Sequence, residues 1–151
     1  MSDNHRLCLR RSWIGVGGTA CWILLNPSTA DDRHDDATVR RIIGYSKRWG
    51  FRGFVLVNLF TFRATDPRDL ADCPLARAIG EGADEAIVQA AGESQIVVCA
   101  WGDAGILAGR NESVLELLRD LPLYCIDFTH AGNPLHPVRA KYTNAPRVFR
   151  P

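Results

Sequence analysis

Short apolar runs recur along the chain, and between them apolar residues fall on a helical period. Leu7-Cys8-Leu9 and Cys21-Trp22-Ile23-Leu24-Leu25 come first. Gly15, Gly17 and Gly18 lie between them, a spacing that predicts a short amino-terminal β-hairpin or loose meander. Three further runs read as strands: Phe54-Val55-Leu56-Val57-Asn58-Leu59, Ile96-Val97-Val98-Cys99-Ala100 and Leu123-Tyr124-Cys125-Ile126-Asp127. They are nearly continuous rather than alternating, as strands covered on both faces of a parallel sheet are. Residues 36–49 carry Val39, Ile42, Ile43 and Tyr45 on a helical period, and Gly50 ends the pattern. Residues 74–91 carry Leu75, Ile79, Ala83, Ile87 and Ala90 behind Pro74, which suits a first helical turn. Asn111-Glu112-Ser113 opens a third helix that stops before Pro122. The alternation predicts one α/β domain over residues 1–151. It is a three-layer sandwich with a central, mainly four-stranded parallel sheet and a short amino-terminal β-hairpin.

That architecture locates a site before any motif is read. Open α/β sheets bind ligands beyond the carboxyl ends of their strands, where strand order reverses. Leu25 gives way to Asn26-Pro27-Ser28-Thr29, Val57 to Asn58-Leu59-Phe60-Thr61, and Ala100 to Trp101-Gly102-Asp103. Asp127 leads into a loop that ends Gly132-Asn133-Pro134-Leu135-His136-Pro137. If the strands are parallel, all four tips converge.

Each tip also has a plain structural reading. Asn26-Pro27-Ser28 taken alone is turn chemistry, and Trp101-Gly102 is core filler with a tight turn. A loop histidine such as His136 is ordinarily solvated, but here it follows the last strand, where a site is expected. Asn58, an amide between apolar neighbours, needs partners when buried, either from backbone or from a ligand edge. The run at 31–36, Asp-Asp-Arg-His-Asp-Asp, has the ligand types for a divalent cation, but its place at a helix start favours capping and the helix dipole. Arg10, Arg11 and Arg63 have two readings, contact with an anionic ligand such as a phosphate or pairing with that acidic run, and pairing is favoured because charged residues of a small domain are more often surface partners.

Composition narrows the partners. The 151 residues are 46% apolar and 23% charged, ordinary for a globular domain, and no stretch is long and apolar enough to span a bilayer. The start shows no signal-peptide pattern, so a cytoplasmic location without membrane partners is expected. The net charge of +1 gives no broad phosphate-binding surface. A local basic excess at Arg139, Lys141, Arg147 and Arg150 reads as a solvated, partly frayed terminus. The five cysteines have no CxxC spacing and read as reduced, mostly buried thiols. No P-loop, GxGxxG, GxSxG or HExxH motif is present, and neither metal nor cofactor is expected.

Taken in order, the four tips resemble the motifs of the uracil-DNA glycosylase superfamily. Leu24-Leu25-Asn26-Pro27-Ser28 resembles the segment that positions the attacking water. Val57-Asn58-Leu59-Phe60 resembles the one whose asparagine reads the base, Ala100-Trp101-Gly102 the third-strand Trp-Gly, and Leu135-His136-Pro137 the His-Pro loop that stabilises the departing base. The resemblance implies a uracil-DNA glycosylase-like fold, Asn26 and His136 as catalytic residues, and a base pocket. Pro27, Ser28, Asn58, Phe60, Trp101, Gly102, Thr129, Gly132 and Pro134 would form that pocket, with Phe60 or Trp101 stacking on the base. The chain is also identified as a member of a bacterial family, Domain of Unknown Function 1643. That identification rests on Asn26-Pro27-Ser28-Thr29-Ala30-Asp31, Val57-Asn58-Leu59-Phe60, Arg63-Ala64-Thr65, Ala100-Trp101-Gly102 and Gly132-Asn133-Pro134-Leu135-His136-Pro137.

The uracil-specific branch follows His-Pro with a bulky wedge, whereas this chain has Val138-Arg139-Ala140. Three readings therefore stand: an N-glycosidic bond hydrolase acting on DNA, a hydrolase or binder of a free nucleoside or nucleotide, and a non-enzymatic nucleobase- or nucleic-acid-binding module.

Overall fold

Two strands at the centre are apolar on both faces, and the fold is built around them. In the computed structural model, which describes residues 6–27, 30, 33–64, 66–142 and 144–150, these are β2 (Thr19–Leu24) and β3 (Gly53–Asn58). Alternate residues of each strand serve opposite layers. Trp22, Leu24, Phe54 and Leu56 pack with Val39, Ile42 and Tyr45 of α1 (Ala37–Arg48). Cys21, Ile23, Val55 and Val57 pack on the other face. They meet α4 (Ala83–Glu93) there, through Ile87, Ala90 and Ala91, and α5 (Arg110–Leu117), through Val114 and Leu115. The remaining elements are β1 (Leu9–Ser12), α2 (Pro67–Ala71), α3 (Leu75–Ile79), β4 (Ile96–Cys99), β5 (Leu123–Cys125) and β6 (Arg147–Arg150), with short 3₁₀ segments at Asp103–Gly109 and Pro137–Arg139. Among the described residues, no helix is long and apolar enough to cross a membrane.

The sheet has six strands and is mixed, in the order β1-β3-β2-β4-β5-β6. β2 runs parallel to both β3 and β4, and β4 runs parallel to β5. β1 and β6 close the two edges antiparallel to β3 and β5. The chain leaves β2 for β3 on one side and then recrosses to β4 on the other. Strand order therefore reverses at β2, and a crevice is opened beyond its carboxyl end.

The amino-terminal hairpin does not form. Both edges of β2 are taken by parallel neighbours, so β1 pairs with the free edge of β3 instead. Residues 13–18 cross the entry to β3, tied to it by Trp13 N–H to the Arg52 carbonyl (2.9 Å) and Arg52 N–H to the Gly18 carbonyl (3.0 Å). Gly17 makes this crossing possible. Its φ is +117°, and a Cβ there would stand 2.3 Å from the Gly50 carbonyl oxygen.

The helix expected over 74–91 is two helices. Gly80 (φ +84°) and Gly82 (φ +82°) break it, while Ile79, Ala83 and Ile87 keep a spacing of four across the break. The carboxyl tail is not a frayed terminus. Residues 147–150 form β6, and Arg147 pairs with Asp127 at 2.6 Å and lies over the Phe128 ring.

Candidate functional site

At the crevice, a cleft of about 410 Å³ opens beyond the tips of β2, β3 and β4, lined by residues of the α1 layer and by Leu25, Ala64, Trp101 and Ala104 from the other side. Leu24, Leu56, Val39 and Val138 supply apolar wall. Asn26, Pro27, Asn58, Trp101, Gly102 and His136 all line it, so the four sequence segments do converge.

Asn26 leaves β2 with its amide already engaged. Nδ2 donates to the Ala64 carbonyl (2.6 Å) and to the Pro27 carbonyl (3.0 Å), and the Pro27 carbonyl also accepts from Ala64 N–H (3.1 Å). Both amide hydrogens therefore point into the protein, which leaves Oδ1 as an acceptor only. Asn58 ends β3 beside Leu24. By strand alternation it faces the same layer as Phe54 and Leu56, toward α1. It is 2% exposed, and its Nδ2 has no partner among the described residues.

His136 caps the 3₁₀ turn Pro137–Arg139, its Nδ1 accepting from Val138 N–H at 3.3 Å. The ring nitrogen that remains, Nε2, then carries the proton of the neutral ring. Burial, reinforced by the nearby Arg139 charge and opposed by Asp36, pushes the imidazole pKa down to about 4. At neutral pH the side chain is thus an uncharged Nε2–H donor.

The loop that carries His136 is held from both sides. Gly102, at φ +72°, donates its N–H to the Pro134 carbonyl (2.8 Å). Asp103 accepts from Thr129 Oγ1 (2.6 Å) and Asn133 Nδ2 (2.9 Å), and these bonds hold its carboxyl below the usual range. From α1, Arg41 Nε donates to the Pro137 carbonyl (3.2 Å) and Nη2 to the Ala140 carbonyl, with the guanidinium 3.9 Å from the centre of the Tyr142 ring.

Other predicted site residues lie elsewhere. Phe60 is fully buried in the α4–α5 layer and does not reach the cleft. Trp101 lines the cleft, but its side chain belongs to that same layer, edge-on to Phe149 (6.0 Å, 81°) and packed against Gly105. Neither ring faces the α1 layer that Asn58 faces. Thr129, Gly132 and Pro134 shape the His136 loop without lining the cleft, Gly132 in a turn at φ +88°. Ser28, Thr29, Asp31, Asp32 and Thr65 lie outside the described residues.

Besides Asp103 of the Trp-Gly tip, the cleft has lining residues that the sequence did not place there: Arg6, Asp36, Thr38 and Arg139. Arg139 carried a signal, since it follows His136 by three positions. Asp36 is the α1 N-cap, accepting from Val39 N–H (2.9 Å) and Ala30 N–H (3.3 Å). Of the three arginines assigned to the acidic run, Arg11 pairs with Asp35 (2.9 Å), while Arg10 pairs with Glu93 (3.2 Å) on α4 instead. Among the described residues Arg63 makes no ion pair, and its buried Nε has no acceptor. The thiols are remote: Cys21 and Cys125 sit in strands, where burial pushes them up to about 12 and about 11.

No curated protein and no solved structure matches this chain. A family model does, over residues 6–138, a span that contains every strand tip lining the cleft. The chain belongs to the DUF1643 family, described as proteins of unknown function.

Proposed function

We propose that the cleft receives a nucleobase and that the protein hydrolyses an N-glycosidic bond, with β3-β2-β4-β5 serving as a uracil-DNA glycosylase-like sheet. One observation carries this reading: hydrogen-bonding groups of complementary kind border a single cleft without partners among the described residues. They include the Asn58 Nδ2 donor, the His136 Nε2–H donor and the Asn26 Oδ1 acceptor. Two donors and one acceptor suit the edge of a heterocycle together with a water molecule.

In this reading Asn58 donates to the base edge, and Asn26 Oδ1 accepts a hydrogen bond from the attacking water. Its oxygen bonds to the anomeric carbon as the carbon–nitrogen bond breaks, and the electron pair of that bond leaves with the base. An amide does not take up a proton near neutrality, so the water proton passes through solvent to the departing base nitrogen. His136, neutral, donates from Nε2 to the base as negative charge develops there, which is electrostatic stabilisation by a donor already in place. Leu24, Leu56, Val39 and Val138 supply apolar walls for the base.

The position that matches the wedge, Ala140, is 5% exposed and anchored through its carbonyl to Arg41. This favours a nucleoside, a nucleotide or a single strand over a base prised from a duplex. The test is base release, followed by chromatography, from nucleosides, nucleotides and oligonucleotides containing uracil, hypoxanthine or a G·T mismatch. Release that is lost in His136→Ala and Asn26→Ala supports hydrolysis. Absence of release on every substrate refutes it, and base binding that survives then marks a non-enzymatic module.

A further inference from the structure

The cleft has a second chemistry at its rim that base recognition leaves unused. The amino terminus of α1 borders it through Asp36, Thr38 and Val39. Asp36 caps Val39, but among the described residues the N–H groups of Ala37 and Thr38, first in a 12-residue helix, find no acceptor, and the Thr38 hydroxyl makes no hydrogen bond. Such amides carry the positive end of the helix dipole and bind anions.

Two guanidinium groups line the same cleft. Arg6 is buried and donates to the Ala30 carbonyl, and Arg139 stands exposed on the Pro137–Arg139 turn without a carboxylate partner among the described residues. That turn is fixed to α1 by Arg41, so Arg139 and the α1 terminus keep a constant relation. The two lining carboxylates are engaged with protein donors, Asp36 with backbone amides and Asp103 with Thr129 and Asn133. An independent sign that a ligand belongs here is the 2%-exposed Asn58, its Nδ2 unpartnered, in the same cleft.

We propose that the cleft takes a phosphorylated ligand, its phosphate held by the α1 amino terminus and Arg139 with Arg6 adding positive charge behind, while the base lies on Asn58. The proposal extends the nucleobase reading and rests on it for the base end alone. The phosphate belongs either to a free nucleotide or to a nucleic-acid strand, and the chemistry recognised is the same: charge-assisted bonds to phosphate oxygens.

The test uses the full chain labelled with ¹⁵N, titrated separately with inorganic phosphate, a nucleoside, its 5′-monophosphate and a trinucleotide of the same base. Saturable shifts of the Ala37 and Thr38 amides with phosphate support the site. So does 5′-monophosphate binding at least tenfold tighter than the nucleoside, with the gain lost in Arg139→Ala. A trinucleotide that binds tighter still assigns the phosphate to a strand, and one that binds no better assigns it to a free nucleotide. Equal affinity for nucleoside and nucleotide, with unmoved Ala37 and Thr38 amides, overturns the phosphate site and leaves the base pocket standing. Phosphate shifts without nucleoside binding do the reverse.

Discussion

Replacing Asn58 by leucine separates a functional amide from a structural one. The side chain is 2% exposed at the end of β3, on a cleft wall shared with Leu24, Leu56 and Val39, and its Nδ2 has no partner among the described residues. A buried donor without an acceptor costs about 1–3 kcal/mol. Leucine has nearly the same shape, removes that cost and adds apolar burial. Some strain in a tight layer opposes the gain. The net expectation is a folded state more stable by about 1–2 kcal/mol. For a chain of this length that is a rise in Tm of about 2–8 °C. Guanidinium denaturation would show it as a higher midpoint at unchanged slope. Ligand binding should disappear in the same variant, since a group kept at a cost to stability is kept for function. A variant less stable than the parent by 1 kcal/mol or more would refute the reasoning, because Asn58 would then be a satisfied structural amide.

Three further outcomes follow from the same geometry. His136 should titrate near pH 4 by NMR, with Arg139→Ala raising its pKa and Asp36→Asn lowering it, since Arg139 opposes and Asp36 favours the charged ring. The unfolded chain binds this proton near pH 6.5 and the folded chain only near 4, so the ring's contribution to stability is complete above pH 6.5 and is lost as pH falls toward 4. Arg41→Met should cost about 1–3 kcal/mol by leaving the Pro137 and Ala140 carbonyls without their donor, and hydrogen exchange should speed up over 137–142 but not in the central strands. Gly17→Ala should destabilise by about 2 kcal/mol or more in thermal melts, because the chain there combines positive φ with a backbone contact that has no room for a methyl group.

The strand tips were legible because buried strands announce themselves as unbroken apolar runs, and the polar residue after each run marks where the sheet ends. Asn26, Asn58, Gly102 and His136 came together for that reason. Which face a tip residue serves was also written in the chain. Trp101 shares parity with Val97 and Cys99, which places its ring in the α4–α5 layer, whereas Asn58 shares parity with Leu56 and faces α1. The hairpin was misread because a glycine-rich spacer fixes the cost of a turn but not which edge the next strand will find. The choice was made by β2, whose two edges were already occupied. The 74–91 helix hid its break because residues 79, 83 and 87 keep one face apolar through Gly80 and Gly82. Arg6 and Thr38 gave no signal, since they come to one cleft only through the tertiary fold, Arg6 held by the Ala30 and Thr61 carbonyls and Thr38 in the first turn of α1.

The most direct test of the account is the side-chain NH₂ resonance pair of Asn58, followed while a free base, a nucleoside and a nucleotide are added in turn. The account predicts a saturable shift of that pair, together with the His136 ring resonances, and loss of binding in Asn58→Leu. Ligand-induced shifts confined to other parts of the molecule, with Asn58 and His136 unmoved, would contradict it.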